Sequence, residues 1–264
     1  MVAKAAESKE LWERRIEALK GAMKPEELSA MLFYSSGQLS MLEVNAVLWI
    51  SGVVPIGPHT GVLLRPSGEA TMIISNAWDE GRVRAQTWIE DIRVTDDFVK
   101  ELASLSADEH LAGNLGIAGH KFMPSLTYRG IEAISNLRPQ PADSTLNSLA
   151  RSPGTASLPV LEHCAAIADA GFSAIVENAR VGMYEYELAA EMDYAMRSRG
   201  AEDNFGMLTA SDHSHCAHPP QDRKIQAGDV IIAEITPALK GHFIQLCRTA
   251  VVGKASPLLR EKFA

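Results

Sequence analysis

Apolar residues recur at helical spacing near the start of the chain. Leu11, Trp12, Ile16, Leu19 and Met23 fall on one face and predict an amphipathic helix over about residues 8–23. Compact apolar runs with β-branched content follow at Ala46 to Ile50, Gly61 to Leu64 and Thr71 to Ser75. The turn signal Arg65-Pro66-Ser67-Gly68 makes the last two a predicted hairpin. Val99 to Leu105 then reads as a short helix, Leu115 to Ala118 as a strand and Ser125 to Ile134 as a helix. Strands alternating with helices in this way predict an α/β domain. Residues 138–157 carry two stretches rich in Pro, Gly and Ser and predict a linker, dividing the chain into domains 1–150 and 151–264. In the second domain Leu158, Leu161, Ala165, Ala168, Phe172 and Ile175 predict one face of a long helix. A second helix is predicted from Glu185 to Arg199, with Leu188, Met192 and Met196 inward and Gly200 just past its end. Val230 to Ile235 and Phe243 to Val252 read as paired strands around the turn Pro237 to Gly241.

Composition narrows the function classes. The 264 residues are 46% apolar and 22% charged, as in a globular protein with a real core. A net charge of −8 argues against nucleic acid as partner and against a polybasic membrane contact. Cys164, Cys216 and Cys247 are odd in number and form no CxxC pair, so a reducing, cytoplasmic setting is expected. The N-terminus lacks an apolar signal core. Runs such as Ala46 to Ile50 fall far short of the roughly 20 residues a membrane span needs, so a soluble protein is expected.

Two groups of residues have the right types for chemistry. His213, His215 and His218 crowd one loop, with Cys216 among them. Imidazoles are common metal ligands, but this spacing is neither a zinc finger nor HExxH, and a solvated polar loop is the competing reading. Asp212 and Asp222 flank the cluster and would favour a protonated imidazole, as general-base chemistry uses. The second group lies on the strand pair. Glu234, flanked by Ile231-Ile232-Ala233 and Ile235, is an acid that needs a partner if buried: Arg248, Lys240, a substrate ammonium or a metal. Gln245, eleven residues on, is placed to face it across the hairpin. Arg248 has the guanidinium fork that clamps a carboxylate, or else holds the hairpin to a neighbouring acid. Cys247 has no activating neighbour in sequence and is expected to be a buried, inert thiol.

A series of blocks then resembles a known family. In order they are Ala168-Asp-Ala-Gly-Phe-Ser-Ala-Ile, Val181-Gly-Met-Tyr-Glu-Tyr-Glu-Leu-Ala-Ala-Glu, Arg199-Gly-Ala-Glu with Asn204-Phe, His218-Pro-Pro-Gln-Asp-Arg-Lys-Ile-Gln-Ala-Gly-Asp, and Gly241 through Arg248-Thr to Val251-Val-Gly. Together they resemble the creatinase/aminopeptidase P/prolidase group, the M24 metallopeptidases with the "pita-bread" fold. The opening helix and Trp49-Ile-Ser-Gly52 are similar, more weakly, to that group's creatinase-type N-terminal domain. The fold expected is therefore α/β (α+β), a creatinase-like α/β domain followed by the first half of a pita-bread domain.

The resemblance implies roles residue by residue. His218 falls on a histidine that contacts substrate in the peptidases and acts as acid/base in creatinase, and His215 lies beside it as a substrate contact. Glu234 falls where the peptidases have their first metal-binding aspartate and Gln245 where they have the second. A neutral amide is a poor substitute for a bridging carboxylate, so no intact metal site and no cofactor are expected. Tyr184 stands where the family has Ser or Thr as helix cap. The family's catalytic domain also runs on past this strand pair, so the complete protein is expected to be longer. The leading expectation is a creatinase-like, metal-independent hydrolase of a C–N bond in a small N-substituted amino acid or amidino compound. His218 would then move the proton, Glu234 hold a cationic group and Arg248 anchor a carboxylate. The alternatives are a divalent-metal (Mn, Co or Zn) Xaa-Pro aminopeptidase or dipeptidase and an inactive pita-bread module that binds peptides or proteins. A small-molecule or short-peptide substrate and a homodimer are what the resemblance implies.

Overall fold

The computed structural model describes residues 9–37, 39–151, 157–212 and 216–263, arranged as two compact units, residues 1–156 and 157–264. The first is α/β. Helix α1 (Lys9–Met23) leads into strand β1 (Leu28–Ser35), helix α2 (Ala46–Ser51) and the hairpin β2 (Thr60–Leu64) and β3 (Ala70–Ile74). Then come α3 (Glu80–Gln86), β4 (Asp91–Val94), α4 (Phe98–Asp108), β5 (Gly113–Ala118), α5 (Ser125–Glu132), β6 (Leu137–Pro141) and α6 (Asp143–Ala150). The strands form one mixed sheet in the order β4-β3-β2-β1-β5-β6. Both of its faces are covered. Met31, Phe33, Val62 and Met72 pack with Leu19, Val47 and Leu146, while Leu32, Tyr34, Leu63 and Ile73 pack on the other side with Phe98, Leu102 and Ile131.

That two-sided burial explains where the sequence reading went astray. β1 reads Leu-Ser-Ala-Met-Leu-Phe-Tyr-Ser with almost every position buried, so it shows no alternation and was not predicted. Ala46 to Ile50, expected among the β-branched runs, is a helix: Asn45 caps it through the Leu48 N–H and Gly52 closes it at φ 73°. The predicted linker 138–157 is largely ordered, since β6 and α6 occupy residues 137–141 and 143–150. Both prolines of β6 sit on the edge strand of the sheet, where a missing N–H costs least.

The second unit is a sheet packed on two helices. Helices α7 (Leu158–Asn178) and α8 (Glu185–Arg197) precede β7 (Asp203–Ser211), β8 (Val230–Leu239), β9 (His242–Phe243), β10 (Leu246–Val251) and the short helix α9 (Pro257–Lys262). The strand order is β10-β8-β7, with β9 also pairing to β8. By length and composition α7 is apolar enough to cross a membrane. Its buried stripe, Cys164, Ile167, Ala168, Gly171 and Ile175, is instead part of the core against β8. This stripe is rotated from the predicted one, and Leu158 is half exposed, because the helix approaches its neighbours through Gly171. A Cβ there would lie 2.9 Å from Met196 Cγ and 3.3 Å from Ile235 Cγ2. The hairpin turns at Lys240-Gly241, both left-handed at φ 50° and 74°, as a two-residue type I′ connection requires.

Buried Tyr34 yields a pH prediction. Its hydroxyl lies 2.8 Å from His59 Nδ1 and its ring meets Phe98 edge-on. Burial pushes its pKa up to about 12, against a smaller downward pull from Thr127. The folded value lies above the unfolded one, so the associated stability is complete below pH 10 and disappears as pH rises towards 12. Denaturant midpoints from pH 8 to 11.5 are expected to fall less steeply for Tyr34→Phe than for the native chain; parallel curves would refute this.

Candidate functional site

The pairing register of β8 decides which side chains meet. Ile231, Ala233 and Ile235 face the helices and are buried, so Ile232, Glu234 and Thr236 face the other way. Directly opposite Glu234 are Met207 on β7 and Cys247 on β10. The Gln245 amide Nε2 donates to Glu234 Oε1, so the acid and the amide do face each other across the hairpin. Beside them Thr236 is 1% exposed and, among the described residues, its Oγ1 has no hydrogen-bond partner. An unmet buried hydroxyl costs about 1–3 kcal/mol.

Two other expectations do not hold. Arg248 pairs with Ala233 and therefore projects from the sheet face opposite to Glu234, where its guanidinium donates to the Cys247 carbonyl at 3.0 Å. It makes no ion pair with Glu234. Cys247 is an exposed thiol on the Glu234 side of an edge strand, not a buried one.

His218 sits beyond the other edge of the sheet. Its N–H donates to Thr209 Oγ1 at 3.0 Å, and its carbonyl accepts from the Leu208 N–H at 3.0 Å, so β7 holds its backbone on the side away from β8. Its Nδ1 lies 2.9 Å from the Pro219 carbonyl, which can only accept, so Nδ1 carries the proton and Nε2 is left with the lone pair. With strands about 4.8 Å apart, the His218 and Glu234 backbones stand about 10 Å from each other. His213 and His215 lie outside the described residues.

The frame around His218 was not legible in the sequence. Glu185, 1% exposed at the start of α8, accepts from the Ala210 N–H at 2.8 Å and the Gln221 N–H at 3.0 Å. Asp229, 2% exposed, takes two guanidinium bonds from Arg223, at 2.6 and 3.0 Å, and the Gln226 N–H at 2.7 Å. The only sequence signal was acids in the first turn of α8 and after Gly228, positions with commoner local uses. Tyr184 provides no side-chain cap; Glu187 supplies half of the box instead, accepting the Tyr184 N–H at 2.7 Å.

No group of three or more His, Cys, Asp or Glu suited to a metal occurs among the described residues. Glu234 and the amide bonded to it do not by themselves make a carboxylate-bridged metal pair.

The chain is similar to known proteins in sequence and in fold. The sequence model described as metallopeptidase family M24 matches residues 160–264. An uncharacterized peptidase, YqhT, of Bacillus subtilis is 31% identical over 139 residues, covering 51% of this chain and 39% of that protein. A Xaa-Pro dipeptidase of Pyrococcus horikoshii is 25% identical over 223 residues, 81% of this chain and 60% of that protein. The chain thus spans between 39% and 60% of the lengths of these relatives. The structure of an X-Pro aminopeptidase from Thermotoga maritima superposes with a TM-score of 0.79 at 19% identity, over 94% of this chain and 67% of that one, a likeness of fold.

Asp229 gives the site its own pH test. Burial pushes its carboxyl up, but Arg223 and the Gln226 N–H together outweigh that and hold it below the ordinary carboxylate value. Its contribution is therefore present above about pH 4 and lost as pH falls through the lowered folded value. Asp229→Asn is expected to lower stability by about 1–3 kcal/mol at pH 7 and by less at pH 3, read from urea midpoints. An equal loss at both pH values would show that the charge on Asp229 is not what matters.

Proposed function

We propose that this chain, whose residues 160–264 match metallopeptidase family M24, is a hydrolase of short peptides with a Xaa-Pro bond. The observation that carries this is the likeness to Xaa-Pro dipeptidases, which extends through both units rather than through the second alone. It favours peptidase activity over the creatinase-like reading. One observation speaks for the latter, the Gln245 amide in hydrogen bond with Glu234 where a second carboxylate would favour a metal.

In this reading Glu234 receives the α-ammonium of the peptide. Its second oxygen and the Gln245 carbonyl are the acceptors that would meet that group on this sheet face. His218 handles the proton. Nε2 takes one from the attacking water as its oxygen bonds to the scissile carbonyl carbon, and returns it to the proline nitrogen as the C–N bond breaks. Arg248, on the other face, takes no part in either step.

The test is turnover of a Xaa-Pro dipeptide panel beside creatine and N-acyl amino acids, with and without added Mn²⁺, Co²⁺ or Zn²⁺. Cleavage of Xaa-Pro is expected, with kcat/KM reduced about 10²- to 10⁴-fold in His218→Ala. Turnover of creatine-like compounds alone, or full activity in the variant, would overturn the assignment.

The donor set gives a second prediction. Gln245→Asp sets two carboxylates face to face, and their repulsion is relieved by a divalent ion. Calorimetry is expected to show Mn²⁺ binding at least about tenfold tighter in that variant than in the native chain, a gain of about 1.4 kcal/mol. Equal affinities would mean that the amide does not set the metal preference.

A further inference from the structure

We propose that Glu185 is a positioning residue for His218. The inference uses only the second unit and rests, for its kinetic arm, on the peptidase reading above. Glu185 does not behave as an ordinary acid in the first turn of a helix, which stays exposed and caps its own helix N–H groups. It is 1% exposed, and its two oxygens bind backbone N–H groups 25 and 36 residues away, those of Ala210 and Gln221. A buried carboxylate is tolerated here because both of its oxygens accept backbone N–H bonds at the N-terminal end of α8.

The two amides lie on the two segments that His218 joins. Ala210 follows Leu208 and Thr209, which hold the His218 backbone, and Gln221 follows His218 by three residues. Between His218 and Gln221 stand only Pro219 and Pro220, whose rings fix φ. Displacement of Gln221 is therefore passed back through a stiff dipeptide to the Pro219 carbonyl, the group that holds His218 Nδ1–H. The Glu185 backbone adds a third tie, its N–H donating to the Arg223 carbonyl at 3.1 Å. One carboxylate thus fastens the strand and the returning segment together and fixes which imidazole nitrogen presents a lone pair.

The experiment compares Glu185→Gln and Glu185→Asp with the native chain. Gln keeps the size but sets an NH2 against one of the two N–H donors; Asp keeps the charge but is one CH2 too short to reach both. Three readouts are taken: ¹⁵N shifts of the His218 ring, amide exchange at Ala210 and Gln221, and the pH profile of Xaa-Pro hydrolysis. In Glu185→Gln the Nδ1–H tautomer of His218 is expected to lose its dominance, and exchange at Gln221 to rise by about tenfold or more while β8 amides stay protected. Turnover is expected to fall about 10- to 100-fold, mostly in kcat, with partial rescue in Glu185→Asp. If the ring shifts and tautomer of a folded Glu185→Gln match those of the native chain, the proposal is wrong. If Glu185→Gln does not fold, the same ring readout on Glu185→Asp decides, and collapse of both variants would assign Glu185 a structural role alone. Absence of native Xaa-Pro activity would sink the peptidase reading but leave the ring and exchange measurements to judge Glu185.

Discussion

The pairing of Glu234 with Gln245 depends on the register of β8, the strand hydrogen-bonded on both sides, to β7 and β10. Side chains alternate between its two faces, so a slip of one residue would send Glu234 into the core and Ile235 out of it. The cost of burying that carboxylate without a counter-charge, several kcal/mol, is what forbids the slip. The Lys240-Gly241 turn pins the same register from the end of the hairpin, since its two left-handed residues form a type I′ loop whose twist matches that of the strands. The hydrophobic pattern of β8 and the position of its one acid are thus a single constraint.

The segment that carries His218 is held differently. Few large apolar side chains anchor it; Ile225, 1% exposed, is one. Much of the rest of its anchoring is polar, from Glu185, from Asp229 with Arg223, and from Thr209. Such groups add little net stability compared with apolar side chains of the same size, but they have few alternative arrangements. A hydrophobic contact tolerates sliding; a carboxylate between two N–H groups does not. A residue whose ring must present a particular nitrogen is better served by the second kind of contact.

This division also explains how much of the structure could be read from the sequence. The long helices and the β8–β10 hairpin were legible because each exposes one face and so carries a period. β1 was not, because helices cover both sides of it and erase the alternation. Ala46 to Ile50 gave the wrong element because five apolar residues fit a buried strand or a short helix equally well; the caps Asn45 and Gly52 decided it. At the site, Glu234 facing Gln245 was legible since a hairpin makes eleven residues a short distance. Arg248 was misplaced by a question of parity, which only the register settles. Glu185 left no trace because its partners are far along the chain and are backbone amides, which every residue type possesses.

The amide at residue 245 has a consequence that follows from charge alone. Two facing carboxylates carry two negative charges, and at such separation one must bind a proton or the pair must bind a multivalent cation. With Gln245 the pair carries one charge, and one lone-pair region of Glu234 is already filled by an amide hydrogen. What remains to be met is a single negative charge, which calls for one positive charge bearing N–H donors. An ammonium group matches both demands, one unit of charge and three directed hydrogens, whereas a divalent ion over-neutralises the pair and gains only weak neutral ligands in return. On the proposed reading the substitution therefore exchanges a metal's seat for a substrate's amine, and the rest of the sheet can stay as it is.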